Sequence, residues 1–269
     1  MPDAYRQSVV TFLDILGFRE MIRNKPASVV SAALDAVSET AAQPVGIGGD
    51  QTKVISFSDS VVRVRPTDAE SPYEALLHEI QDLSAAQWSL MDFGVLVRGG
   101  TTIGEVAVAP GRAFGPAFVR AYDLESSIAS APRIVIDPTV IQHMREHIGG
   151  LSGIKSRRNC IDELKSHIRL GNDGVWFVDY ISSVYRIMLP KSEVESALLR
   201  FKTIIIDMID ELPEKSLIIT KFLWLIRYHN ASAKRLFPAN KELKIQRRDV
   251  PEADELLRPP VLVKRARPA

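Results

Sequence analysis

The chain has 269 residues, 34 of them basic and 33 acidic, for a net charge of +1. With 46% apolar and 25% charged residues, it holds too much core-forming material and too little net charge to be disordered as its main state. Nor does it carry an overall field that would draw it to nucleic acid. Cys160 is the single cysteine, which excludes an intrachain disulfide and a cysteine-based zinc site. No apolar run approaches the roughly 18 residues of a membrane span, and no basic region, apolar core and cleavage site follow in order at the start. The expectation is a cytoplasmic protein with no membrane and no nucleic-acid partner, built as one large domain or two small ones.

Residues 8–16 form a short apolar run rich in β-branched side chains, predicting a buried strand that Gly17 ends. Over 27–40, Val30, Leu34 and Val37 share one helical face, and 44–51 reads as a loop. The segments 53–57 and 61–64 are separated only by Ser58-Asp59-Ser60, the spacing of a hairpin. Residues 72–91 predict a long helix with Leu76, Ile80, Leu83 and Leu90 as its stripe. Next, 94–97 reads as a strand, followed by a glycine-rich passage and a further strand; 114–131 reads as a helix, and 133–136 as a strand stopped by Asp137-Pro138. This alternation predicts an α+β sandwich with antiparallel pairs and helices on one face.

Beyond Asp137 the character changes. Residues 150–170 are polar and basic and read as a surface excursion, while 175–178 is one more strand candidate. Two amphipathic helices, 191–212 and 214–228, meet at Pro213, and from Lys234 a proline-containing, basic-ended tail reads as an extended arm or packing segment. The predicted division is a core over 1–150 and an extension over 151–269, with extra strand, two helices and tail packed on that core.

The strongest chemical signal is an acidic pair. Asp14 lies within an apolar strand, where a carboxylate is expensive to bury unless it is paired or bound to metal. Asp59 lies at the hairpin tip, and if the strands are neighbours the two carboxylates make a hard-cation site suited to magnesium or manganese. The bland alternative is a pair of loop and turn aspartates. Arg98-x-Gly100-x-x-x-Gly104 follows a strand, where glycine permits close backbone approach to a ligand or chain, or simply a bulge. On the helix after Gly115, Arg120 and Tyr122 point about 200° apart at roughly 100° per residue, so they cannot both face one site. Arg120 either reaches a phosphate or pairs at the surface with Asp123 or Glu125. No phosphate-binding Gly-Lys-Ser/Thr loop, dinucleotide fingerprint or nucleophile elbow is present. Phe222, Trp224 and Tyr228 at helical spacing read as core.

Taken in order, these segments resemble the class III nucleotide cyclase domain. Phe12-Leu-Asp14-Ile-Leu-Gly17-Phe18 is similar to that family's first metal motif, Phe57-Ser-Asp59 to its second, Arg98-x-Gly100-x-x-x-Gly104 to the next strand motif, and Gly115 to Glu125 to the helix that follows. The resemblance spans roughly 8–137. It implies a ferredoxin-like βαββαβ sandwich, here with a C-terminal helical extension.

The departures narrow the implied substrate. Val119 and Asp123 stand where purine cyclases carry Asn and Arg, leaving Arg120 as the nearest replacement cation. Ile55 and Arg112 stand where purine cyclases carry the base-reading lysine and acid. An arginine in place of an acid turns an acceptor into donors, which suit the O2 and O4 of uracil. These departures resemble the pyrimidine (uridylate) cyclases of bacterial Pycsar antiphage systems. The resemblance implies that UTP becomes 3′,5′-cyclic UMP and pyrophosphate, read by a separate effector, in a homodimer with active sites at its interface. It also implies two divalent cations, Mn2+ or Mg2+, on Asp14, Asp59 and the Ile15 carbonyl. Gly17, Phe18 and Arg19 would contact phosphates, Ile55 and Arg112 the base, and Arg120 the α-phosphate. A cytidylate or purine cyclase and an inactive cyclase-homology nucleotide sensor are the alternatives.

Overall fold

The computed structural model describes residues 4–44, 52–68, 72–147, 157–212 and 218–251, and omits the side chains of 144, 145, 147, 157 and 158. The chain forms two compact units, 1–197 and 198–269. In the first, β1 (Arg6–Ile15) pairs antiparallel with both β3 (Ser60–Pro66) and β4 (Val97–Ala109), which makes it central. Strand β2 (Lys53–Phe57) extends the sheet beyond β3. Helices α1 (Phe18–Asn24) and α2 (Ala27–Ala42) connect β1 to β2, and α3 (Pro72–Asp92) connects β3 to β4. The order β2-β3-β1-β4 with these crossovers is the expected ferredoxin-like α+β sandwich.

Why β1 is buried on both faces follows from its alternation. Val10 and Phe12 point to one face, where they pack with Val62, Val64, Val106 and Ala117 and Ala121 of α4 (Pro116–Asp123). Thr11 points to the other and donates to Glu79 on α3 at 2.9 Å. A strand covered on both faces needs apolar residues at nearly every position, which is why 8–16 reads as an unbroken run.

The glycine-rich passage does not break the chain into two strands. Residues 97–109 run as one strand, and the second short strand is β5 (Arg112–Phe114), paired to the end of β4. Gly100 and Gly104 serve the crossing of α4: a Cβ at Gly100 would fall 2.4 Å from Leu124 Cβ and 2.6 Å from the Ala121 carbonyl. The helix expected over 114–131 ends at Asp123 and widens into a π turn, Leu124–Ile128. After it come β6 (Ile134–Ile136), parallel to β4, and α5 (Pro138–His147).

The region expected as a polar excursion is partly structural. It contains α6 (Arg157–Lys165) and β7 (Ile168–Leu170), and Cys160, Leu164 and His167 are buried. Strand β8 (Trp176–Val178) joins β7 to β6, so the sheet continues to β4-β6-β8-β7. Helix α7 (Tyr180–Ile187) then packs on α3. The loop expected at 44–51 lies, apart from Pro44, outside the described residues.

Under α3 the sheet carries charge. Arg63 and Arg65 are 2% and 3% exposed, and Glu79 and Asp82 are 0% and 1%. Arg63 donates to Glu79 at 2.8 and 2.9 Å, to Asp82 at 2.8 Å and to the Ala41 carbonyl. Burial alone would raise the Glu79 carboxyl, but the charge and hydrogen bonds of Arg63, with Arg65 and Thr11, together outweigh it and hold it below its usual range. Four buried charges cancel in pairs, the condition under which burying them is tolerable.

Helix α8 (Lys191–Asp210) crosses from the first unit into the second, whose other helix is α9 (Ile219–Leu236). The second helix thus starts later and runs further than 214–228 suggests; Pro213 to Leu217 are outside the described residues. Within this unit Lys202 donates to the carbonyls of Glu242 and Lys244, and Asn230 makes hydrogen bonds to both the N–H and the carbonyl of Ile245. Up to Val250 the tail is therefore a packing segment, with Phe237, Leu243, Ile245 and Val250 buried. Tyr228 is buried and stacks on Trp224 at 5.2 Å. No helix among the described residues is long and apolar enough to cross a membrane.

Candidate active site

The register of the sheet aligns the chemistry in rows. Residues directly opposite on neighbouring antiparallel strands share a face. One row runs Phe57–Ser60–Asp14–Arg98 and the next Ile55–Val62–Phe12–Gly100. Phe12 anchors an aromatic cluster, with Phe57, Phe118 and Tyr122 edge-on to its ring at 6.0, 6.0 and 5.4 Å. Asp14 thus sits at the polar end of an otherwise apolar face.

Asp59 reaches Asp14 through the hairpin turn. Ser58 takes a φ of 53°, supplying the mirror-image twist that two-residue hairpins need. The Asp59 carbonyl accepts the Ile15 N–H at 3.2 Å, tying the turn to the end of β1. The Asp59 carboxyl lies close enough for its charge to raise that of Asp14. Gly17, at a φ of 83°, then turns the chain from β1 into α1, with Phe18 partly buried and Arg19 exposed.

Two further residues complete the cluster. Arg98 Nε and Nη2 both donate to Asp14 Oδ2, at 3.2 and 3.1 Å. Its Nη2 also lies 2.7 Å from Glu125 Oε1 on the π turn. That contact is an ion pair without a well-aligned hydrogen bond, so the buried Oε1 is left without one. In the sequence Glu125 stands out only as a surface partner for Arg120. The signal that locates it is helical: Ala117, Ala121, Leu124 and Glu125 fall at i, i+4, i+7 and i+8, placing a carboxylate on the buried stripe.

The cluster is short of positive charge. Burial first, and then the Asp59 charge, push the Asp14 carboxyl up against the opposing pull of Arg98. Burial pushes Glu125 up to about 7 although Arg98 pulls it down, and Asp14 and Asp59 add to the rise. Arg98 faces Asp14 and Glu125, and Asp59 adds a third carboxyl nearby, so a divalent cation would supply the missing charge. Among the described residues no three His, Cys, Asp or Glu side chains form a ready metal-ligand set. The donors on offer are thus the Asp14 and Asp59 carboxylates and backbone carbonyls such as that of Ile15. Magnesium commonly takes one or two carboxylates, with waters and substrate phosphates completing its shell.

The other sequence-predicted residues lie apart. Arg120 pairs neither with Asp123 nor with Glu125; it donates to Asp137 at 2.6 and 3.2 Å. Ile55 lies on the same face as Asp14, one row away and on the edge strand of the sheet. Arg112 is exposed and pairs with Ala109, eleven residues along β4 from Arg98, on the order of 35 Å at 3.3 Å per residue. The backbone N–H of Leu16, just before Gly17, is given to the Leu96 carbonyl at 2.8 Å.

No protein-family profile matches the chain, and no curated protein matches it in sequence. Solved structures similar to it include the adenylyl cyclase CyaB from P. aeruginosa, at 18% identity and a TM-score of 0.41, covering 53% of this chain and 82% of that one. The guanylyl cyclase Cya2 is 14% identical with a TM-score of 0.45, covering 66% and 94%. A class III adenylyl cyclase-like ATP-binding protein from Pseudomonas aeruginosa is 15% identical with a TM-score of 0.43, covering 60% and 40%.

Proposed function

We propose that this protein is a pyrimidine nucleotide cyclase that converts UTP to 3′,5′-cyclic UMP and pyrophosphate. The observation that carries the reading is the meeting of Asp14 and Asp59 at one end of an apolar sheet face, in a carboxyl cluster that lacks positive charge. In the reaction the ribose 3′-oxygen loses its proton and attacks the α-phosphorus, and the bond from that phosphorus to the β-phosphate oxygen breaks. Asp14, Asp59 and the Ile15 carbonyl would hold one or two Mn2+ or Mg2+ ions. When bound, these ions would lower the pKa of the 3′-hydroxyl and balance charge on the triphosphate. Gly17, Phe18 and Arg19 would offer backbone N–H groups and one guanidinium to the phosphates.

The position of Arg112 supports a homodimer in this reading. At the far end of β4 it reaches a base held near Asp14 only if that base sits in a site completed by a second copy. Its donors, with Ile55 in place of a lysine, favour a pyrimidine with carbonyl groups. The catalytic core is then 1–150, with 151–269 as its extension, acting in the cytoplasm. The product would be an infection signal for a separate effector in antiphage defence.

A second reading, an inactive nucleotide sensor of the same fold, is favoured by one observation. Arg120, the cation nearest the exposed Val119 and Asp123, is engaged by Asp137. Incubation of the purified protein with Mn2+ and each of the four ribonucleoside triphosphates, with products resolved by mass, decides between these. Cyclic UMP supports the proposal; cyclic CMP keeps the mechanism and changes the base; cyclic AMP or GMP overturns the base assignment. Nucleotide binding by calorimetry without any product supports the sensor.

A further inference from the structure

The side chains around Asp14 divide its two oxygens unequally. Oδ2 takes both Arg98 donors, at 3.2 and 3.1 Å, while Oδ1 has Ser60 Oγ at 3.5 Å, the limit of a hydrogen bond. Arg98 cannot swing away freely, because Glu125 Oε1 lies 2.7 Å from the same Nη2 and is itself 4% exposed on the side chain. Glu125 in turn is fixed where it is by the fold. Gly100 lets the π turn lie directly on β4, and a Cβ there would come within 2.9 Å of the Glu125 backbone nitrogen. Glycine, π turn, glutamate, arginine and aspartate thus form one mechanical chain ending at Asp14 Oδ1.

We propose that Glu125 is a positioning residue that acts through Arg98, holding the guanidinium on Asp14 Oδ2 so that Oδ1 alone is presented to the divalent cation. The inference rests on the reading of Asp14 and Asp59 as cation ligands. Two consequences follow from the charges. With all three carboxyls ionised the cluster carries −2 (Asp14, Asp59 and Glu125 against Arg98), which one divalent cation neutralises. Removing the Glu125 charge leaves −1 and releases Arg98 to sit wholly on Asp14, so that the guanidinium competes with the incoming cation. Outer partners that orient a metal ligand typically change metal affinity about 10–100-fold when removed.

The test is Mn2+ binding without nucleotide, read from the loss of the free-ion electron paramagnetic resonance signal. It is applied to the full chain as wild type, Glu125→Gln, Arg98→Met and the double variant, each checked by circular dichroism melting. The expected result is a loss of affinity of about tenfold or more for Glu125→Gln in the wild-type background, and no further loss for Glu125→Gln in the Arg98→Met background. If Arg98→Met does not fold, Arg98→Lys replaces it, since an ammonium cannot span both carboxylates as the fork does. An equal loss in both backgrounds would mean that Glu125 acts on the cation directly, and would overturn the proposal. So would unchanged affinity in Glu125→Gln. Absence of Mn2+ binding by the wild type itself would remove the underlying metal reading as well, and is distinguished because no variant is needed to see it.

Discussion

Arg120 lays its guanidinium on Asp137, with Nε 2.6 Å from Oδ2 and Nη2 3.2 Å from Oδ1. Asp137 is 1% exposed and also accepts from Thr102 Oγ1 at 3.0 Å and the Thr139 N–H at 3.2 Å. Burial would raise its carboxyl, yet these donors, Arg120 foremost, hold it below its usual range. Asp137→Ala leaves all of them without an acceptor and should cost about 2–3 kcal/mol. Arg120→Ala should cost about 1 kcal/mol or less, because the arginine is half exposed and its pair is screened. Thermal melts of the two variants check this order, and a larger loss for Arg120→Ala would contradict it.

The two glycines of β4 facing α4 should respond unequally to alanine. At Gly100 the new methyl meets Leu124 Cβ at 2.4 Å and backbone at 2.6 Å, whereas at Gly104 it meets Ala117 Cβ at 3.4 Å. Gly100→Ala should destabilise by about 3 kcal/mol through forced displacement of the helix. Gly104→Ala should stay within about 1 kcal/mol of wild type. Equal midpoints in urea would show that the helix yields at no cost.

The buried Arg63 network is all-or-none in character. Arg63→Met leaves two buried carboxylates, Glu79 and Asp82, to share Arg65 alone, so a loss of about 3–5 kcal/mol is expected. Adding Glu79→Met should recover part of that loss, since Arg65 and Asp82 then remain as a balanced pair. Chemical denaturation of the single and double variants measures the recovery; a double variant weaker than the single one runs against this picture.

Acid should weaken the second unit through His229. Burial holds its pKa down to about 4, against an ordinary value of 6.5, and Nε2 meets the Leu243 carbonyl at 2.7 Å while Nδ1 is buried without a partner. A histidine depressed in the folded state contributes stability that is complete above pH 6.5 and lost as pH falls toward 4. The slope is about 1.4 kcal/mol per pH unit. Glu125, raised to about 7, works the opposite way in the same range. The His229 effect is therefore the stability difference between wild type and His229→Gln, followed from pH 7 to 4.5. That difference should shrink as pH falls, and a constant difference would argue against a buried neutral histidine.

What the sequence made legible depends on how far apart the partners lie. Asp14 stood out because a carboxylate inside an apolar strand demands a partner, and Asp59 because three residues between strands force a tight turn. The βαββαβ core followed from local periodicities. The Arg98–Glu125 link joins two elements through a helix crossing that glycine spacing only hints at, so Gly100 reads equally well as a break. Arg63 and Arg65 alternate into the side of the sheet under α3, where a strand pattern gives no reason to expect charge; their counter-ions lie 14 to 19 residues away on α3. The same limit misplaced Arg120, whose partner Asp137 comes from the far end of β6.

The central claim is that Asp14 and Asp59 together support cyclisation of a pyrimidine nucleotide. The most direct measurement is the yield of cyclic UMP and pyrophosphate from UTP and Mn2+, compared between wild type, Asp14→Ala and Asp59→Ala, all verified as folded. Product from the wild type that disappears in both variants is the predicted result. Undiminished turnover in either variant would contradict the account.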